Sequence, residues 1–289
     1  MPKSSSHSRL AAWLLAGLVS ASFAAASASS PRWLLFGEQH DQLDQKAQVA
    51  ANIAQLAHRG ELGGVVLEMA ERGHDTRGLS AQASDAEIRQ ALDWGDRSGW
   101  PWADYAPVVR AAVAAGVPVW GGNLARSALR PIMNESMVEA LIEPAARLHL
   151  VAAVRDSHCQ LIPPDRVAAM VRVQIARDAA MAQTLLEAGR ASLSDPSTET
   201  DRRRQPYVVL LAGEQHVGRD RGVPIHLERL GIPPTQIRSI GFTSPEASAA
   251  DGAQLDERRP AAITPREDPC AQTPAISPQA RPASAAAQG

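Results

Sequence analysis

Cysteine is scarce: only Cys159 and Cys270 occur in 289 residues. Neither belongs to a C-x-x-C pair or to C-x-x-C-H, so covalent c-type haem attachment is excluded by its own motif. No H-E-x-x-H helix is present either. Neither charge is in excess, the formal net charge being -2, and no basic stripe carries interleaved aromatics, which excludes nucleic acid as a partner. The two cysteines can bridge in an oxidising compartment, but Cys270 lies in a Pro/Ala-rich tail, which argues against a structural bridge. Beyond Ser244 large apolar residues nearly vanish, and residues 245–289 are expected to be a disordered tail.

The amino terminus is apolar without being a membrane span. Lys3 and Arg9 precede a stretch from Leu10 to about Ala26 that is interrupted by small polar residues and ends in an A-x-A pattern at Ala26, Ser27 and Ala28. That reads as a signal peptide over residues 1–28, with no following cysteine to take a lipid. The mature chain is expected to be exported, periplasmic or secreted, with no membrane span. With 45% hydrophobic residues, residues 31–244 can bury the core of one large domain.

What the chain does have is one tetrapeptide twice. GEQH stands at Gly37 to His40 and again at Gly213 to His216, each directly after an apolar run, WLLF and YVVLLA. Such a run ending in glycine reads as a buried strand leaving a sheet at its carboxyl edge, where open α/β sheets place ligands. Trp33 to Phe36 is the first strand, and Leu43, Ala47, Ala50, Ile53 and Ala57 predict a helix that stops at Gly60. GVVLEM, Gly64 to Met69, is a second strand with Glu68 at its end. Strand, helix, strand implies a right-handed parallel crossover. Ser84 and Glu87 form a capping box. Trp94, Trp100, Trp102 and Tyr105 follow in a dense aromatic segment, either a satellite core or the wall of a flat ligand. VPVW leads to Gly121, Gly122 and Asn123, a third strand exit. Residues 130–157 are helical in composition, and a long helix from Asp165 to Ala188 is expected to end at Gly189. On it Met170, Gln174, Arg177 and Met181 share a stripe, with Asp178 beside them, facing a polar cavity or pairing Arg177 with Asp178. Tyr207 to Ala212 and Ile237 to Phe242 complete the strands.

The strand ends therefore present Glu38, His40, Glu68, Asn123, Glu214 and His216, with Arg126 nearby. One reading is a divalent metal site for zinc or manganese, with His40, His216, Glu38, Glu68 and Glu214 as ligands and Glu38 or Glu68 as the catalytic base of a hydrolase, protease or esterase-like. His158 and Cys159 form either a ligand pair or a structural turn.

LLFGEQHD, VVLEM, the segment around Tyr105, VWGGNLAR, VQIARDAAMAQTL and LLAGEQHVGRDRGVP together resemble the ChaN haem-binding domain of the Tiki/TraB/erythromycin-esterase superfamily. The resemblance spans about Trp33 to Phe242. It implies an α/β fold with a mixed, mainly parallel sheet flanked by helices, and a site formed by the two G-x-x-H loops. It also implies haem as cofactor, a role in iron uptake, a homodimer, and work with an outer-membrane haem receptor or transporter. The family's tyrosine iron ligand points to Tyr105, for which a core residue at a helix start is the other reading. In this picture a phenolate, or the imidazole of His40 or His216, ligates the iron, while Arg126, Arg177 or a G-x-x-H histidine holds the propionates and Asn123 lines the edge.

Overall fold

The computed structural model describes residues 32–95, 99–194, 206–243, 252–262, 264–265 and 270–271; the expected signal peptide lies outside them. Short apolar runs rich in β-branched residues form the strands β1 (Arg32–Glu38), β2 (Leu62–Glu71), β3 (Val119–Asn123), β4 (Tyr207–Gly213), β5 (Ile237–Thr243) and β6 (Glu257–Pro260). They make a six-stranded sheet in the order β3-β2-β4-β1-β5-β6, and every named pair is parallel. Among the described residues the antiparallel component of the expected mixed sheet reduces to an isolated bridge between Asp75 and Trp120. Both faces are covered, as a parallel sheet requires.

The helices are α1 (Leu43–His58), α2 (Asp85–Ala91), α3 (Trp102–Val113), α4 (Arg126–Met133), α5 (Pro144–Asp156), α6 (Pro164–Ser194) and α7 (Val223–Arg229). The predicted capping box opens α2, with both reciprocal bonds between Ser84 and Glu87 formed. Val49, Ile53 and Leu56 of α1 and Val108, Val109 and Ala112 of α3 pack with Phe36 and Leu211 on one face. Met181, Ala182 and Leu185 of α6 and Val223 and Leu227 of α7 pack with Leu35 and Leu210 on the other.

Helix α6 runs through Gly189, where the sequence predicts an end. Gly189 is buried, and the helix continues because its last turns lie on the start of β2: a Cβ at Gly63 would stand 2.9 Å from the Cβ of Ser192. Packing there outweighs the roughly 1 kcal/mol that glycine costs a helix. At about 1.5 Å per residue, α6 is nearly twice as long as the strands it covers. Its first half therefore projects past the carboxyl edge of the sheet. There it packs with α5 in a separate small core of Ile142, Leu150, Val154, Val167, Val171 and Ile175. This helical lobe is the ordering of residues 130–157 that composition leaves unplaced.

The expectation of a structureless tail is corrected over residues 252–262, which contribute β6. Ala253 is buried, Leu255 packs against the second core, and Arg258 spans from Glu214 to the carbonyls of Phe242 and Ala253. An edge strand takes its partners from backbone and charged side chains, so low apolar content conceals it. Cys270 is bonded to Cys159, the bridge that the two cysteines can form and that the composition of the tail argues against as a structural one.

Candidate functional site

The two GEQH copies lie side by side but one residue out of register, Gly37 opposite Ala212 and Glu38 opposite Gly213. Successive strand residues point to opposite faces, so identical tetrapeptides contribute unlike groups. Glu38 is 2% exposed. One of its oxygens accepts from the Tyr105 hydroxyl at 2.8 Å and lies 3.0 Å from Nδ1 of His40. Its other oxygen is 3.1 Å from Nζ of Lys46, which is equally buried. That ammonium also donates to the carbonyl of His40 at 2.7 Å and lies 4.9 Å from the Tyr105 ring centroid. Lys46 thus anchors the first loop from α1. Glu214, in contrast, joins neither group: it is half-buried and pairs with Arg258 of β6.

On the other face Glu68, His216 and Asp178 form a second buried group. His216 stands between two carboxylates, Nδ1 at 2.6 Å from Asp178 and Nε2 at 3.2 Å from Glu68. Glu68 also accepts from the backbone of Gly213 at 2.8 Å. Burial opposes its charge, but His216, His40 and the Gly213 amide hold its carboxyl down at about 2. Burial likewise opposes an imidazolium at His216, yet the flanking Glu68 and Asp178 raise it to about 10. Asp178, wholly buried, is pushed up to about 6 by burial, against the pull of His216. The arrangement is a buried ion pair with a second carboxyl, that of Asp178, behind it. The two groups meet over the strand ends, where Nε2 of His40 is 4.0 Å from Glu68. His40 is the half-exposed member, its ring 4.5 Å from that of Trp100.

The glycines of the two loops make room for each other. A Cβ at Gly37 would lie 2.4 Å from Val217, and one at Gly213 would lie 2.9 Å from Nε2 of His40. Gly213→Ala is therefore expected to displace the His40 ring and cost about 1–3 kcal/mol. Thermal unfolding and the His40 imidazole resonances check this; an unmoved ring would contradict it.

Of the other predicted residues, Asn123 ends β3 and donates to the carbonyl of Glu68 at 3.0 Å, tying β3 to β2. Arg126 opens α4 at the surface, its backbone N–H donating to Glu71. Arg177 is half-buried with an Nε that has no hydrogen-bond partner among the described residues. Tyr105, the iron-ligand candidate whose other reading is a core residue at a helix start, is 0% exposed, and burial together with Glu38 pushes its pKa up, favouring the neutral phenol. Among the described residues no three His, Cys, Asp or Glu side chains converge as a metal ion requires. Both nitrogens of His216 are already engaged by carboxylates.

The strand-end motifs do not point to Lys46, and the helix stripe gives Asp178 only as a partner for Arg177 or a neighbour of a polar cavity. Both sit on buried stripes, Lys46 with Val49, Ile53 and Leu56, and Asp178 with Val171, Ile175, Ala182 and Leu185. A charge at a core position of an otherwise apolar stripe is the signal that finds them.

The sequence profile described as "Haem-binding uptake, Tiki superfamily, ChaN" matches residues 24–227. The chain belongs to this family. ChaN of Campylobacter jejuni, solved with haem bound cofacially, shares the fold at a TM-score of 0.55 and 21% identity, over 76% of this chain and 85% of that one. The type III effector HopBA1 aligns at a TM-score of 0.45 and 12% identity, over 80% of this chain and 88% of its own. No curated protein matches. The ChaN family match covers both GEQH loops, Glu68, Tyr105 and Asp178, and ends within α7.

Proposed function

We propose that this chain is an exported haem-binding protein that assists haem and iron uptake, pairing with a second copy and exchanging haem with an outer-membrane receptor or transporter. The observation that carries the reading is membership of the haem-binding uptake family over most of the chain. The cofacial haem of the C. jejuni protein supports a haem held on an open face between two copies. Haem takes an apolar surface, an axial ligand and cations for its propionates. The described residues include such donors at the surface, in methionines, histidines and arginines. The test is a hemin titration of residues 29–289, which retain β6 and Cys270, followed in the Soret region with Tyr105→Phe alongside. Saturable binding with an identical spectrum in the variant is expected, because the hydroxyl is held by Glu38. Absence of saturable binding removes the reading, and a changed spectrum identifies Tyr105 as the ligand.

A second reading is supported by the buried charges, which haem binding does not require. Glu38 orients His40 through Nδ1 and leaves Nε2 facing the strand ends, the arrangement of a general base that activates water. In this hydrolase the proton chemistry belongs to His40 and its carboxylates. Hydrolysis of p-nitrophenyl esters, lost about 100-fold or more in His40→Asn, checks it; equal rates in the two proteins would remove it.

A further inference from the structure

Beyond residue 227, where the family match ends, the tail touches the loops that follow both GEQH copies. Beside the second loop the Gln254 amide donates to Asp220, the carbonyl of Gly252 accepts from Arg221, and Arg258 of β6 pairs with Glu214. Past β6 the tail lies against the start of α1. Gln48 donates to the carbonyl of Pro260, and Asp44 accepts from the amide of Ala262. Gln42 makes two bonds to Thr264, its Oε1 accepting from the N–H at 2.8 Å and its Nε2 donating to the carbonyl at 3.1 Å. Gln42 is 1% exposed and stands two residues after His40. A buried amide needs both a donor and an acceptor, and one tail residue supplies both. The backbone of Gln42 is tied in turn to the first loop: its N–H donates to the carbonyl of Gln39 at 2.9 Å, and its carbonyl, like that of His40, accepts from Lys46.

Farther along the tail, Cys270 is bridged to Cys159 in the turn between α5 and α6, and both cysteines are half-buried. Cys159 and Gln160 take the left-handed conformation, with φ of 56° and 60°, a region that residues other than glycine seldom enter. Of the pair His158 and Cys159, the histidine is bonded back to α5, its Nδ1 2.8 Å from the carbonyl of Val154. The sulfur is the reactive member. Strained or accessible bridges are the labile ones, whereas purely structural bridges resist reduction.

We propose that the Cys159–Cys270 bond is a redox latch, opened by a dithiol, that sets how firmly residues 260–265 clasp Gln42 and with it the loop that carries His40. The latch is independent of both functional readings. A thiolate of the dithiol attacks one sulfur of the bridge and forms a mixed disulfide, and its second thiolate then closes the reductant's own disulfide. Two electrons and the two protons of the dithiol end on Cys159 and Cys270 as thiols. The bonds from Gln42, Asp44 and Gln48 are modest singly, and they are made by a segment tethered on both sides, by β6 and by the bridge. Tethering raises the effective concentration of each partner. Opening one tether releases the segment and uncovers Gln42.

The test measures amide order parameters by NMR in residues 29–289, oxidised and after dithiothreitol under native conditions, with Cys270→Ser alongside. On reduction the values for Ala262 and Thr264 should fall from about 0.85, typical of rigid backbone, to below about 0.6. Those of Gln39 and Gln42 should fall with them and the His40 imidazole resonances should shift, while β1 and β4 stay rigid. Reoxidation with oxidised glutathione should restore the first state. Cys270→Ser should begin in the loosened state and ignore the reductant. A bridge that stays oxidised in the native protein overturns the redox site. Reduction that leaves Ala262 and Thr264 rigid overturns the latch. Loosening there with Gln39, Gln42 and His40 unmoved overturns the link to the first loop, and loosening shared by β1 and β4 shows a staple of the whole fold instead.

Discussion

Glu68→Ala is expected to lower the unfolding free energy by about 3–5 kcal/mol, the cost of leaving one member of a buried ion pair unpartnered. In a domain of this size that is a fall of roughly 6–20 °C in Tm. Glu68 is 4% exposed and carries Nε2 of His216, the Gly213 amide and the approach of His40. Without it the imidazolium of His216 keeps only Asp178, itself held towards its protonated form. The pH dependence follows. Glu68 titrates near 2 in the fold against an ordinary 4.5, so its stabilisation is complete above about 4.5 and is lost as pH falls through 2. His216 titrates near 10 against 6.5, so its stabilisation is complete below 6.5 and is lost as pH rises through 10. Asp178 runs the other way: raised from 3.8 to about 6, it withdraws stability as pH rises between those values. Scanning calorimetry across this range should give the wild type its steepest losses at the acid and alkaline ends and the alanine variant a flatter profile. A Tm within about 2 °C of wild type would show that the pair does not hold the strand ends.

Cys270→Ser is expected to cost about 2–4 kcal/mol, because the bridge to Cys159 joins residues 111 apart and so restricts the unfolded chain strongly. The Tm should fall by roughly 5–15 °C. A reductant should shift the wild type by the same amount and the variant not at all. If reductant leaves the wild type unmoved, the bridge carries no stability. A bridge of this kind forms in an oxidising compartment, which agrees with the export proposed for this chain.

The elements that sequence predicts best are those whose local signals agree with their surroundings. Strand β1, helix α1 and the capping box of α2 carry period, cap or breaker signals that agree, whereas Gly121 and Gly122, read as the exit from the third strand, lie within β3. Strand β6 was not legible, because Glu257 to Pro260 contains no apolar residue and is held by pairs such as Arg238 with Glu257. The site was legible as a gathering of Glu38, His40, Glu68 and His216 at one sheet edge. Their division between two faces was not, because it depends on a one-residue offset that appears only when β1 and β4 are paired. Tyr105 was correctly placed beside the site, but its direction was not readable: the same spacing serves a ligand or a hydroxyl donated inward to Glu38.

The strand order has a consequence for how the molecule comes together. Strand β4 lies between β1 and β2 in space, yet almost the whole chain from β2 to α6 separates it from them in sequence. Until residues 207–213 are in place, β1 and β2 have no neighbour in common, and Glu68 lacks the Gly213 amide and the His216 imidazole that hold it. The pairing that raises the contact order of the fold, and with it slows folding, is therefore also the one that joins Glu68 to Gly213 and His216.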